Sequence, residues 1–138
     1  MQLSRAVEYG VRAMQYLASR ETVCDVDEIS GKMGIPLSFL RKILQRLVTA
    51  KLVRSHRGFA GGFTLSGIPD EISLLQIMEA VDGEFLLNPC LGNHGDCVLD
   101  HNCSLQRAWY ISQNALKQSL AGFSLRALTT QEVPTAIP

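Results

Sequence analysis

Between Val26 and Leu65 the chain carries a pattern that few folds can accommodate: two short apolar-striped helices, a break between them, then a basic hairpin with a glycine-rich tip. Ile29 and Met33 give the first helix, Val26 to Met33, an inward stripe, and Asp25 or Asp27 can cap it. Gly34 ends that helix, and Ile35-Pro36 prevents its continuation. From about Ser38 to Ala50, Leu40, Ile43, Leu44, Leu47 and Val48 form a second stripe, with Arg41, Lys42, Gln45 and Arg46 lying off it. A basic helical hairpin without a ligand would show the same two helices, so the segment that follows decides. Leu52-Val53-Arg54-Ser55-His56-Arg57 alternates as a strand does, and Phe63-Thr64-Leu65 reads as its partner. The run Gly58-Phe59-Ala60-Gly61-Gly62 joins them as a loose tip.

Helix, turn, helix and basic hairpin make a winged helix-turn-helix, whose partner is double-stranded DNA. Ser38, Phe39, Arg41 and Lys42 occupy the first turns of the second helix, where a recognition helix meets base edges and phosphates, and Arg46 is assigned to the same surface. Arg54, His56 and Arg57 stand on or near the wing, within reach of phosphates or a minor groove, together with Gly61 and Gly62 of the tip. A glycine-rich tip also suggests a nucleotide phosphate. That reading is weak, because the Gly-Lys-Ser/Thr ending and a following helix start are both missing.

The net charge of +0 over 138 residues argues at first against nucleic acid. Its distribution argues the other way. No carboxylate occurs between Glu28 and Asp70, a stretch that holds Lys32, Arg41, Lys42, Arg46, Lys51, Arg54 and Arg57. Acidic residues resume at Asp70, Glu71, Glu79, Asp82 and Glu84, so the basic charge is gathered into one block. No signal segment is read, and no apolar run approaches the roughly 20 residues that span a bilayer. A cytoplasmic protein with no membrane partner is expected, its thiols held reduced.

Flanking elements complete a mainly α chain. Leu3, Val7, Val11, Met14 and Leu17 repeat at helical spacing from about Ser4 to Ser19, with Ser4 placed to cap. Glu8 and Arg12 lie four apart beside that stripe and, by spacing alone, form a surface ion pair. Cys24 reads as a packing residue. A fourth helix, Ser73 to Val81, ends at Asp82-Gly83. A long helix begins near Ser104, with Leu105, Trp109, Ile111 or Ser112, Leu116 and Leu120 repeating every three to four residues up to Gly122. One isolated stripe of that length needs a partner, and a homodimer on a palindromic operator supplies it. A short helix from Phe123 to Leu128 and a disordered tail from Thr129 to Pro138 are expected to close the chain.

Between these helices lies the chemistry. Cys90 to Cys103 holds three of the four cysteines, together with His94, Asp96, Asp100 and His101, on a backbone loosened by Gly92, Asn93 and Gly95. The thiols are separated by six and then five residues, unlike the paired knuckles of structural zinc or the tight ferredoxin run. Three soft thiolates in such a loop suit iron–sulfur or zinc, and a cluster would need a fourth ligand. No acid–base pair, nucleophile elbow or cofactor fingerprint supports an enzyme, and no small-molecule substrate is expected.

Taken together, the opening Met1-Gln2-Leu3-Ser4, the wing Arg57-Gly58-Phe59-Ala60-Gly61-Gly62-Phe63, the Ala80-Val81-Asp82-Gly83 helix end and the three-cysteine loop resemble the bacterial winged-helix iron–sulfur transcription regulators, a family that includes IscR and NsrR. The resemblance covers nearly the whole chain. It implies a repressor-type regulator with a winged helix-turn-helix domain over residues 1–83, a cluster loop over 84–103, and a dimerisation helix with a short terminal helix over 104–128. It further implies one iron–sulfur cluster per subunit, 2Fe–2S or 4Fe–4S, held by Cys90, Cys97 and Cys103. In one branch a histidine three residues after the last cysteine completes the cluster, and here that position is Gln106. In another branch a carboxylate of the first helix does so across the dimer, with an arginine four residues on. Glu8 and Arg12 match those positions, which implies Glu8 as fourth ligand, ahead of His94, His101 and Asp96, and Arg12 as the group that takes up the carboxylate when the cluster is lost. Operator affinity would then follow redox state, nitric oxide or cluster supply. The alternative is a cluster-free regulator using the cysteines as a zinc or thiol-redox sensor.

Overall fold

Ser4 accepts a hydrogen bond from the Val7 amide at 3.2 Å and so starts α1, Arg5–Ala18, about which the molecule is built. The computed structural model describes residues 2–92 and 103–133. Helix α1 buries Val7, Tyr9, Ala13, Met14, Tyr16 and Leu17. It packs on α2, Val26–Met33, α3, Leu37–Thr49, and α4, Leu74–Asp82. Asp25 caps α2 through its side chain, accepting from the Glu28 amide at 2.8 Å. Gly34 closes α2 at φ 64, a left-handed conformation that disfavours residues with a Cβ. Pro36 then precedes α3, which buries Leu40, Ile43, Leu44 and Leu47. A Leu→Ala change at such sites typically costs about 2–5 kcal/mol.

The wing is β1, Val53–His56, paired antiparallel with β2, Gly62–Leu65, so that Val53 faces Leu65 and His56 faces Gly62. A third chain segment joins it. Cys24 exchanges two backbone hydrogen bonds with Phe63, at 3.0 and 2.8 Å, on the open side of β2. Cys24 is buried as the packing reading requires, and burial pushes its thiol pKa up, away from thiolate chemistry. The tip is tight rather than loose: the Gly61 amide donates to Gly58 O at 3.0 Å, placing Phe59 and Ala60 at the centre of a β-turn.

Helix α4 starts with a reciprocal Ser73–Gln76 capping box. A 3-10 turn, η1, Pro89–Leu91, precedes the cysteine loop, and α5, Ser104–Ala121, follows it. The last helix, α6, Leu125–Thr130, runs two residues beyond the expected start of the tail, because Ser124 caps it and Thr129 and Thr130 donate to Leu125 O and Arg126 O. It is also no appendage. Leu125 is fully buried, its amide donates to Ile72 O at 2.7 Å, and Gln15 of α1 donates to Leu128 O at 2.8 Å. The C-terminal helix therefore completes the core of the winged-helix domain rather than standing outside a domain that ends at residue 83. Among the described residues no helix is long and apolar enough to cross a membrane.

Candidate nucleic-acid interface and cysteine site

The stripe that buries Leu40, Leu44 and Leu47 forces the other side of α3 outward, and Ser38, Phe39, Arg41, Lys42 and Gln45 are exposed there. Phe39 is further held from below, its ring edge-on to the buried Tyr9 with centroids 6.3 Å apart. Arg46 is set apart from this group. Its Nη1 donates to Val81 O at 2.5 Å, across the crevice to α4, where a cation complements the negative end of that helix. Sequence spacing placed Arg46 off the buried stripe, but could not show that α4 ends beside it.

On the wing, Arg54 and Arg57 are exposed, while His56 shares a 2.8 Å hydrogen bond with Thr64 Oγ1 across the two strands. Gly62 has a packing reason of its own, since a Cβ there would lie 2.3 Å from Cys24 O. Gly61 likewise sits where a Cβ would meet His56 O at 2.7 Å.

Glu8 and Arg12 form an ion pair on the exposed side of α1. The Arg12 guanidinium also lies 5.7 Å over the Tyr9 ring and donates to Met33 O at 3.5 Å. Through Tyr9 this pair touches the first turn of α3 by way of Phe39.

Cys90 and Cys103 are half-buried free thiols on η1 and at the N-cap of α5. Helix α5 begins at Cys103 because its sulfur serves as the cap, accepting from the Gln106 amide at 3.4 Å. Gln106 in turn donates through Nε2 to Cys90 O at 3.2 Å, joining the two cysteine-bearing elements. Cys97, His94, His101, Asp96 and Asp100 lie outside the described residues. Among the described residues no three His, Cys, Asp or Glu side chains gather as a metal site. What the structure offers a cluster is two accessible thiols on adjacent elements, one of them receiving a backbone N–H, the kind of contact that tunes a cluster thiolate.

Besides Leu120, which packs against the core, helix α5 holds to the rest of its own chain by polar contacts that its apolar period does not show. Gln113, the buried residue of α5, accepts from the Leu87 amide at 2.7 Å, three residues before Cys90. Lys117 bridges Glu79 of α4 at 3.3 Å and Glu84 at 3.5 Å. Gln106, Gln113 and Lys117 recur at helical spacing on one face, a signal hidden because none of them is apolar. Leu105, Tyr110 and Leu116 remain exposed. We expect Gln113→Leu to strand the Leu87 amide and to destabilise the protein by about 1–3 kcal/mol. Urea unfolding would read the loss, and hydrogen exchange at Leu87 would place it.

Comparison with known proteins agrees with this geometry. The family described as Rrf2, iron-dependent transcriptional regulator, matches residues 3–131. The chain is 33% identical over 130 residues to IscR of Aliivibrio salmonicida, an HTH-type transcriptional regulator, covering 93% of this chain and 77% of that one. A match to Rv1287 of Mycobacterium tuberculosis is 44% identical over 85 residues, covering 60% of this chain and 53% of that protein, so the match spans about half of that relative's length. CymR, the global cysteine regulator of B. subtilis, has a similar structure, with a TM-score of 0.75 at 25% identity over 95% of this chain and 98% of CymR. IscR of T. potens shares the fold at a TM-score of 0.75 and 22% identity, over 100% of this chain and 94% of that one. With the family matched over almost its full length, the chain belongs to the Rrf2 family of transcriptional regulators.

Proposed function

We propose that this protein is a DNA-binding regulator, acting as a homodimer on a palindromic operator, whose affinity is set by an iron–sulfur cluster on Cys90, Cys97 and Cys103. The observation that carries the DNA reading is the pairing of an outward α3 face, Ser38, Phe39, Arg41 and Lys42, with an exposed basic wing at Arg54 and Arg57. A helix of that kind fits the major groove, and the wing beside it reaches the neighbouring minor groove. Arg46 takes a supporting role by fixing α3 against α4.

The dimer reading rests on α5. Its own chain is met by Gln106, Gln113 and Lys117, leaving Leu105 and Leu116 to solvent in a single copy. A second copy related by a twofold axis covers such a strip and sets two recognition helices one half-site apart.

When bound, the cluster supplies a redox- and nitric-oxide-sensitive centre. The chain's own residues carry its state to α3. A Glu8 ligand contributed by the second copy accords with α1 packing mainly on α2, α3, α4, α6 and β2 while η1 packs on α5. Drawing Glu8 away releases Arg12, which rests on Tyr9, which rests on Phe39 of α3. In the other direction, Gln113 and Lys117 tie the Cys90 segment to α4, whose Val81 carbonyl holds Arg46 of α3. A coupling of about 1–3 kcal/mol through either route changes operator affinity by roughly 5- to 150-fold.

The test is anaerobic purification, with visible absorption, iron, acid-labile sulfide and zinc measured on one sample, and DNA affinity measured before and after cluster removal. A brown protein whose DNA affinity shifts on cluster loss is the expected result. A zinc-filled or colourless protein, empty even after anaerobic reconstitution, would sink the cluster and leave a thiol- or zinc-sensing regulator.

A further inference from the structure

Phe59 is a large apolar side chain that contributes nothing to the fold. It is 112% exposed, more than any other large hydrophobic residue among those described, and stands at the first central position of the tip turn. A single exposed apolar residue is ordinary and by itself means little. Here its direction is fixed. The Gly61 amide closes the turn on Gly58 O, Gly58 adopts φ 104, and Gly61 sits where a Cβ would overlap the His56 carbonyl. Behind the turn, the His56–Thr64 hydrogen bond and the Cys24–Phe63 backbone pair stiffen the two strands. Exposed Arg54 and Arg57 both lie on the β1 arm that leads into this tip. A closed turn thus presents one fully exposed aromatic ring at the end of a basic strand.

We propose that Phe59 is a wedge that enters the DNA minor groove and inserts against a base step, kinking the duplex. This rests on the DNA-binding reading and adds to it a residue that reads deformability rather than a base edge. The minor groove is about 6 Å wide and admits a hairpin tip better than a helix. Apolar wedges between base steps unstack them and bend the duplex, and pyrimidine–purine steps yield most easily. Arg54 and Arg57 on the β1 arm anchor the backbone phosphates beside the tip, so that the ring rather than the charge selects the step. Each half-site would then carry a flexible step where the wing lands, outside the bases that α3 reads.

The experiment uses the full-length protein and a duplex enriched by that protein from random-sequence DNA, with 2-aminopurine placed at successive positions under the wing. Native protein is expected to raise the fluorescence at one step per half-site and to retard the duplex as bent DNA. Phe59→Ala should abolish the fluorescence rise, reduce the bend and weaken binding about 5- to 100-fold, in the range of a lost aromatic–base contact. Its salt dependence should not change, because no charge is removed. Arg57→Ala, in contrast, should lower the slope of log affinity against log salt by about 0.9. Phe59→Trp should keep the fluorescence rise. Equal affinity, bend and fluorescence in Phe59→Ala, alongside a weakened Arg57→Ala, would overturn the wedge and leave the DNA reading standing. Failure of the native protein to enrich any sequence, with no effect of Arg57→Ala on DNA binding, would overturn both.

Discussion

Gly62→Ala is expected to destabilise the protein by about 3 kcal/mol or more, the range of backbone overpacking at a site that cannot yield. The methyl would lie 2.3 Å from the Cys24 carbonyl oxygen and 2.7 Å from its carbon. Neither is the free end of a flexible side chain. Relief would require separating β2 from the Cys24 segment, which breaks the 2.8 and 3.0 Å backbone pair between Cys24 and Phe63. For a chain of this size a loss of that order lowers the melting temperature by about 10 °C. Gly31→Ala is the matched control. It lies on the exposed side of α2 with nothing within 4 Å of the added Cβ, so it should stabilise by about 0.5–1 kcal/mol through helix propensity. Thermal unfolding of the two variants decides. A Gly62→Ala protein that melts with the native one would mean that the wing does not hold its third strand.

Leu116→Glu is expected to break the proposed dimer and, with it, tight binding to a palindrome. Leu116 is 38% exposed in the single chain, so a carboxylate there costs the monomer little. Buried against a twofold copy, the same carboxylate meets its own symmetry mate and loses water without gaining a partner. Sedimentation should show monomer where the native protein is dimeric. Affinity for a two-half-site duplex should fall by about 10²- to 10⁴-fold, the scale of a lost second attachment, while affinity for one half-site is unchanged. A native protein that sediments as monomer, or a Leu116→Glu protein that remains dimeric, would move the interface away from α5.

Much of the winged helix is legible in the residues because its signals are local. Ser4, Asp25, Ser73 and Gly34 announce helix ends by hydrogen bonds and φ values made within three or four residues of themselves. Leu40, Ile43, Leu44 and Leu47 declare their buried face by period alone. The outward set Ser38, Phe39, Arg41 and Lys42 follows from that stripe by subtraction. The α5 stripe is legible only in part. Period alone marks Leu105, Trp109, Leu116 and Leu120 as one face, yet Leu105 and Leu116 are exposed in the chain, and the buried member of α5 is Gln113.

Local pattern suffices for much of what has its partner within a turn or a hairpin: the helices, the Ser4, Asp25 and Ser73 caps, the pairing of the wing strands and the cation-bearing face of α3. Contacts between residues far apart in the chain emerge only once the elements pack together. Arg46 turns to the end of α4, Cys24 supplies a third strand beside Phe63, and Leu125 returns to close the core beside Ile72. Gln106 and Gln113 fasten the cysteine-bearing segment to α5. The physical reason is that a periodic pattern shows which side of an element is apolar, whereas a single polar contact across the fold leaves no period behind. It depends on where another element happens to end, and that is fixed only when the whole core packs.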